Sequence, residues 1–514
     1  MLNKLASKNE AVTNQVTEII SQLEIYRSQK RVIVQCHGVF DLLHPGHILH
    51  LEEAKKLGDV LVVTVTPDRF VNKGPGRPVY SQDQRVLMLR ALEVVDLVAI
   101  TDSPIASDAI LAIKPNIYVK GPDYSNGNQD ITGNISIEES TVASIGGKIY
   151  FTSAPSMSSS KLINAHVIKE NLETANWLGN LRKKYSETEI LEWIKKASTL
   201  NVLVIGEAII DEYLICEALG KSSKDPVLAF REIALEQQVG GSLAIANHCA
   251  GLGANVSSLF RIGQDQNDEK LILANLNSKI NAVMLKSMYE PTIKKRRFID
   301  ELTEARVFET YIMNDAKSTP DDESKLVAEL DKILSKVDLV IVADYGHGLI
   351  TEKIITKLCE ANVLLAVNTQ SNAGNRGFNT ISKYSKVDYV SLNGSELGLE
   401  LRRKHTSMDK LVAKLRIQSD AKRVMVTEGS KGLSICDEDD VVEHAPAFAQ
   451  QIKDRVGAGD ALFAVTSMLS AVGAPKDVTG FYGNLAGAAV ISELGNRKSV
   501  SIVDLCRHAS ALLK

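Results

Sequence analysis

No C-x-x-C pair occurs in this chain, and its six cysteines (Cys36, Cys216, Cys249, Cys359, Cys436 and Cys506) lie far apart. Zinc sites and disulfide frameworks need closer or more numerous cysteines, so the pattern reads as buried, reduced thiols of a cytoplasmic protein. An excess of either charge is also missing: 59 Lys and Arg stand against 63 Asp and Glu, a net charge of −4. That leaves no basic field for nucleic acid or for an anionic membrane. No apolar run is long enough to span a bilayer. The first residues carry Lys4, Lys8 and Glu10 with no apolar core behind them, which does not make a signal peptide. Nor is there a Gly/Ser/Pro-rich linker, so the roughly two to four domains expected of this length are expected to be joined by helices.

What is present begins with a β-rich run, Arg31 to Cys36, followed by Gly38-Val-Phe40-Asp41-Leu-Leu-His44-Pro-Gly-His47. An amphipathic segment, Ile48 to Leu57, stops at Gly58, and a second apolar run covers Val60 to Val65. Strand, loop, helix and strand make one βαβ unit, with the loop at the carboxyl edge of a parallel sheet. A helix N-terminus there offers free N–H groups to an anion. His44 and His47 are predicted to sit on that N-terminus and face the same anion. Ahead of this unit, Val12, Val16, Ile19, Ile20, Leu23 and Ile25 predict a helix within 9–28 that packs on the first domain or on a partner subunit.

The stretch resembles the HxGH signature of the cytidylyltransferase-like nucleotidyltransferases, in which both histidines contact the triphosphate and stabilise the charge that develops as pyrophosphate leaves. The resemblance extends to Phe40 and Asp41 and to the Thr66-Pro-Asp68 loop. It implies nucleotide or phosphate contacts for Lys73, Arg77, Arg85, Lys120 and Asp123. It also implies phosphate binding by Ser158, Ser159 and Ser160 at the start of a closing helix. Tyr118-Val-Lys120-Gly-Pro-Asp-Tyr124 is similar to the heptose-phosphate branch, which uses ATP. The lead Ser153-Ala-Pro-Ser156 lacks the arginine of the cytidylyltransferase branches. ATP and CTP both stay open as donor for this half.

From Asn201-Val-Leu-Val-Ile-Gly206 onward, strands are expected at Val256–Phe260, Leu339–Ala343, Val363–Val367, Tyr389–Leu392 and Val424–Thr427, with helical stretches between. That alternation predicts a doubly wound α/β domain, with Pro226 to Leu235 in a small accessory sheet. Its chemistry is concentrated in Asp454-Arg-Val-Gly457-Ala458-Gly459-Asp460. A glycine-rich turn opening a helix makes an anion hole, and Asp460 in the first turn is placed to take a proton from an attacking hydroxyl. This resembles the ribokinase-like (PfkB) sugar kinases. The resemblance implies that Asn393 and Glu396 serve Mg²⁺, and that Asp211, on a loop, and Gly240 and Gly241 meet the sugar. It places Asp344 near the site, and Lys294 and Arg297 where a substrate phosphate could be met. Three positions depart from the pattern: Ala244 stands where a sugar-binding asparagine is usual, with Asn247 one turn on; Asn368 opens a turn usually Asp-Pro-Lys-Gly; and Glu207 follows Gly206 where Asp is common.

The sequence thus predicts a helix over 1–30, a Rossmann-like nucleotidyltransferase domain over 31–166, a helical connection over 167–200 and a ribokinase-like domain over 201–514. Together the halves resemble the bifunctional heptose-phosphate kinase/nucleotidyltransferases of ADP-heptose synthesis, with the domain order reversed. The resemblance implies Mg²⁺, ATP for the kinase half, ATP or CTP for the other, a sugar phosphate as substrate, and a homodimer. The alternative is a nucleotidyltransferase whose kinase-like half only binds a ligand or dimerises.

Overall fold

The computed structural model describes residues 16–71, 77–103, 105–122, 134–153, 172–314, 318–403, 406–448, 454–491 and 495–513. The chain divides into two compact units, Met1–Ala175 with Cys506–Lys514, and Asn176–Leu505.

In the first unit, β1 (Ile33–Gly38), β2 (Val60–Val65), β3 (Leu97–Ile100), β4 (Ile117–Lys120) and β5 (Lys148–Phe151) form one parallel sheet in the order β3-β2-β1-β4-β5. Every residue of β2 is buried, as expected for a parallel strand covered on both faces. Alternation divides the core: Val34, Cys36, Leu61 and Val63 pack with Leu51 and Leu89 on one face. Ile33, Val60 and Val62 meet Leu23 and Ile113 on the other. Leu23 belongs to the helix Val16–Ser28, so that helix packs on this unit. The strand order reverses beside β1, and such a reversal opens a crevice at the carboxyl ends of the strands. The loop after Gly38 rises from that point.

The second unit contains a nine-stranded sheet in the order β10-β9-β6-β13-β14-β15-β16-β17-β18. Its members are β6 (Asn201–Gly206), β9 (Asn255–Ile262), β10 (Asn281–Lys286), β13 (Leu339–Asp344), β14 (Leu364–Thr369), β15 (Tyr389–Asn393), β16 (Arg423–Thr427), β17 (Leu433–Asp437) and β18 (Val442–Ala445). All pairings are parallel except those of β17, which runs antiparallel to both neighbours. A separate sheet, β12-β11-β7-β8, is built from β7 (Ala208–Lys221), β8 (Leu228–Gly241), β11 (Ile293–Asp300) and β12 (Arg306–Ile312). The accessory sheet expected around Pro226–Leu235 is therefore larger than that segment. Asp211 lies within β7 and not on a loop, because β7 follows β6 with only Glu207 between them. Helices Leu172–Lys184 and Glu187–Ala197 precede β6, the second capped by Ser186 in a reciprocal bond with Glu189. All six cysteines are buried free thiols. Among the described residues no helix is long and apolar enough to cross a membrane.

Candidate active sites

In the first unit the chain leaves β1 through two left-handed residues, Phe40 (φ 53°) and Leu42 (φ 48°). This tight path sets His44 at the N-cap of helix Pro45–Lys55, with proline in the first turn. The Nδ1 atom of His44 accepts from the Gly46 N–H at 3.1 Å, which leaves the ring proton on Nε2. His47 stacks on His44 with ring centroids 3.9 Å apart and planes 22° from parallel. The two imidazoles thus share one helix start, the arrangement that suits an anion. Phe40 backs His47 at 5.5 Å while its ring is buried among Val34, Leu51 and Val86. It is a wall of the site and does not itself offer a polar contact.

Two expected phosphate ligands have other work. Asp41 is buried and accepts from the backbone N–H of Val79 at 2.9 Å and of Tyr80 at 3.1 Å, with Arg77 Nη1 4.0 Å away. Its carboxylate fixes the segment that follows Arg77. Arg85 is fully buried and donates to the carbonyls of Tyr80 (3.1 Å), Val39 (2.5 Å) and Thr66 (2.9 Å) and to Asp68 Oδ1 (2.6 Å). With its guanidinium distributed among these acceptors, Arg85 ties together the loops around the site and does not reach a substrate phosphate. Lys120, at the end of β4, pairs with Glu138 at 2.6 Å. His50, one turn beyond His47, meets Thr152 at 2.9 Å; the i, i+3, i+6 spacing of His44, His47 and His50 was the available signal for it. Lys73, Asp123, Ser158, Ser159 and Ser160 lie outside the described residues.

In the second unit, Gly457 is the N-cap of helix Ala458–Ala471 at φ +81°, and a Cβ there would approach Asn496 Oδ1 to 1.9 Å. Only glycine fits. Gly459 has open space around it, and Asp460 follows in the first turn. The Tyr345 hydroxyl donates to Asp460 Oδ1 at 2.9 Å. Asp460 is set deep enough that burial pushes its carboxyl up to about 7, against the lowering effect of the Tyr345 bond. A general base with that affinity is matched to neutral pH.

Across the site, Asp211 Oδ1 accepts from Arg297 Nη1 at 2.6 Å, and its Oδ2 lies 3.4 Å from Asn496 Nδ2. A Cβ at Gly240 would fall 2.0 Å from Asp211 Oδ2, and Gly241 adopts φ +60°. The glycine pair thus makes room for the carboxylate and turns the chain into helix Ser242–Gly251. A polar recess of about 430 Å³, lined by Gln238, Asn247, Asn275, Asn496 and Arg497 among others, opens beside it.

Several expected contacts are redistributed by the tertiary structure. Asn247 lines that recess, but its amide already donates to Asn275 O at 2.9 Å and accepts from Asn277 N–H at 2.8 Å. It ties two helices together. Ala244 is buried in the same helix. Lys294 pairs with Asp268 at 2.6 Å, on the opposite face of β11 from Arg297. Strand alternation puts Lys295 on the face of Arg297, in register with Asp211 on β7 and Tyr311 on β12. Asp344 is buried against the Tyr384 hydroxyl (2.6 Å) and Lys383 (2.5 Å). Glu207, beside it, accepts the backbone N–H groups of Tyr345 and His347 at 3.0 Å each. Asn368 donates to Ser391 O at 2.7 Å, and Asn372 and Asn375 both donate to Tyr345 O, at 2.9 and 2.8 Å. The last two bonds fix Tyr345, the residue that holds Asp460.

Asn393 and Glu396 form a capping box on helix Gly394–Glu400. Asn393 Oδ1 accepts from Glu396 N–H at 2.9 Å, Glu396 Oε2 accepts from Asn393 N–H at 2.8 Å, and Oε1 accepts from Ser371 N–H at 3.1 Å. Among the described residues no group of three or more His, Cys, Asp or Glu could hold a metal ion. Each carboxylate oxygen of Glu396 thus holds one backbone donor, which anchors the pair as a helix cap.

The family described as "pfkB family carbohydrate kinase" matches residues 199–502, and "Cytidylyltransferase-like" matches 36–165. The chain is 42% identical over 126 residues to "Bifunctional protein HldE" of Campylobacter fetus subsp. fetus, covering 24% of this chain and 27% of that protein. It is 24% identical over 314 residues to the protein of that name from Bradyrhizobium sp., covering 60% of this chain and 62% of that one. The chain therefore spans less than two thirds of these relatives. The crystal structure of phosphofructokinase-2 from Escherichia coli in complex with substrates and products superposes with a TM-score of 0.51 at 18% identity, over 62% of this chain and all of that one. That likeness is one of fold.

Proposed function

The chain belongs to the pfkB family of carbohydrate kinases, and we propose on that premise that it catalyses two transfers, one in each unit. The second unit phosphorylates a sugar or sugar phosphate from ATP. The first unit transfers a nucleoside monophosphate from a triphosphate to a sugar 1-phosphate, releasing pyrophosphate. The product is a nucleotide-activated sugar of the heptose type, as the resemblance of both motif sets to the heptose-phosphate kinase/nucleotidyltransferases suggests, for surface polysaccharide made in the cytoplasm.

The observation that carries the reading is Asp460, poised by Tyr345 at a glycine-opened helix start and facing Asp211. A carboxyl held near neutral affinity at such a place has the properties of a base for an attacking hydroxyl. It is also what separates this reading from a kinase-like half that only binds a ligand. Mg²⁺ is proposed to enter as the counterion of the nucleotide, held by phosphates and water.

For the first unit ATP is proposed over CTP, on the missing arginine in the lead before Ser158. Competition between the two nucleotides with one sugar 1-phosphate tests this, and a clear preference for CTP would refute it. The same panel, extended to ATP turnover with phosphorylated and free sugars, tests the pair of activities.

A homodimer is proposed through the outer face of the four-stranded sheet. Leu235, Phe308 and Ile312 lie on the face turned away from Asp211 and remain 46%, 45% and 47% exposed. Apolar side chains grouped on one exposed sheet face mark an interaction surface. Replacing Phe308 and Ile312 together by Glu should convert the sedimenting species to monomer; a wild-type protein that is already monomeric would dismiss the idea.

A further inference from the structure

We propose that Glu207 is a positioning residue for phosphoryl transfer, holding the turn that presents Tyr345 to Asp460. This role deepens the kinase reading above and rests on it. Strands β6 and β13 run side by side, with Gly206 in register with Ala343. A Cβ at Gly206 would fall 2.2 Å from the Ala343 carbonyl oxygen, so the two backbones meet closely there. Glu207, the next residue, is thereby set against the exit of β13. The chain turns at that exit through Tyr345, Gly346 (φ +72°) and His347.

Three consecutive N–H groups in the turn are each taken by a carboxylate. Glu207 Oε2 accepts from Tyr345 and Oε1 from His347, at 3.0 Å each, and Asp344 Oδ1 accepts from Gly346 at 3.2 Å. The Tyr345 carbonyl is bound as well, by Asn372 and Asn375. Its hydroxyl then donates to Asp460 Oδ1 at 2.9 Å. Glu207 also reaches the acceptor side. Its carbonyl accepts from the Ser242 N–H at 3.1 Å and hydroxyl at 3.0 Å, where Gly240 and Gly241 lead into their helix. One residue thus ties the glycine turn beside Asp211 to the tyrosine on the base.

The arrangement is costly. Glu207 is only 3% exposed, and among the described residues no cation pairs with it, whereas Asp344 has Lys383 at 2.5 Å. Burial and the Asp344 carboxylate push its pKa up, against the pull of the backbone donors. A glutamine would avoid the buried charge, but it would turn an N–H₂ group toward one of the two backbone donors. The carboxylate is the side chain that grips both.

The test measures acceptor phosphorylation in wild type, Glu207→Gln, Tyr345→Phe and the double variant of the full chain. Glu207→Gln should lower kcat roughly 3–10-fold, the worth of one hydrogen bond, with KM for ATP unchanged. The double variant should be no slower than Tyr345→Phe, because both residues act on Asp460 through one bond. Losses that multiply would overturn the assignment, as would a wild-type kcat in Glu207→Gln.

The ionisation of Asp460 gives a readout that needs no turnover. An infrared difference between each protein and its Asp460→Asn counterpart follows that carboxyl. The groups facing it are Tyr345, Asp211, Lys295 and Arg297, and of these Glu207 hydrogen-bonds Tyr345. A weakened Tyr345 bond raises the Asp460 pKa, whereas loss of the Glu207 charge alone would lower it. An upward shift in Glu207→Gln supports the assignment; no shift, or a downward one, overturns it. Should Glu207→Gln not fold, Glu207→Asp takes its place, since it keeps the charge and shortens the reach. The same upward shift is expected there, and an unmoved midpoint overturns the assignment. Absence of ATP turnover with every acceptor would sink the kinase reading separately. The infrared shift would still decide whether Glu207 holds Tyr345 on Asp460.

Discussion

Replacing Asp460 with Asn is expected to lower phosphoryl transfer by ~10²-fold or more, the usual share of a general base, while nucleotidyl transfer from a supplied sugar 1-phosphate continues. The substitution keeps the size of the side chain and an acceptor for the Tyr345 hydroxyl, which lies 2.9 Å away. It removes the carboxylate that would take the proton from the acceptor hydroxyl. The pH profile gives an independent readout. Burial pushes Asp460 up to about 7, and the base is active when ionised. The wild-type rate should therefore rise with pH through about 7 and lose most of its value well below that. The Tyr345 bond favours the ionised form, so Tyr345→Phe should move this limb to higher pH. Stability should change in the opposite sense to activity. A carboxyl whose folded pKa is raised above its unfolded value weakens the fold once pH exceeds the unfolded pKa. The Asn protein should thus be at least as stable as wild type at pH 8. An Asp460→Asn enzyme with wild-type turnover would remove Asp460 from its role. Rate loss accompanied by unfolding would leave the base assignment without support.

Loss of either imidazole at the other site should cost nucleotidyl transfer ~10²–10³-fold, the range for one preorganised donor to a developing charge. Phosphorylation by the second unit should be unaffected. His44 needs a particular substitution, because it is also the N-cap of its helix, with Nδ1 accepting from Gly46 N–H at 3.1 Å. His44→Ala would remove both functions, and the lost cap alone costs about 1 kcal/mol. Asn is a good N-cap without an imidazole, so His44→Asn isolates the chemistry. Its rate should match His44→Ala while its Tm stays nearer wild type. His47 stacks on His44 at 3.9 Å and has no capping role, so His47→Ala serves directly. Near-wild-type nucleotidyl transfer in both His44→Asn and His47→Ala would show that the helix start holds no reacting anion.

The sequence by itself determined the features that depend on neighbouring residues. His44 and His47 follow a strand and open a helix; Gly457 to Asp460 does the same in the second unit, and backbone geometry there is set within a few positions. The Asn393–Glu396 pair was equally local, and its N-cap-to-N3 spacing could have been read as a capping box before a metal site. Only the tertiary structure decided which side chains meet. Tyr345 reaches Asp460 across 115 positions and Arg297 reaches Asp211 across 86, through a sheet order that no local pattern contains. Arg85 gathers carbonyls from three loops, which changes it from a phosphate ligand into a brace. The run Lys294-Lys-Arg-Arg297 looked uniform in sequence. Strand alternation sent Lys294 to Asp268 and turned Lys295 toward the site, because a one-residue step along a strand reverses the face.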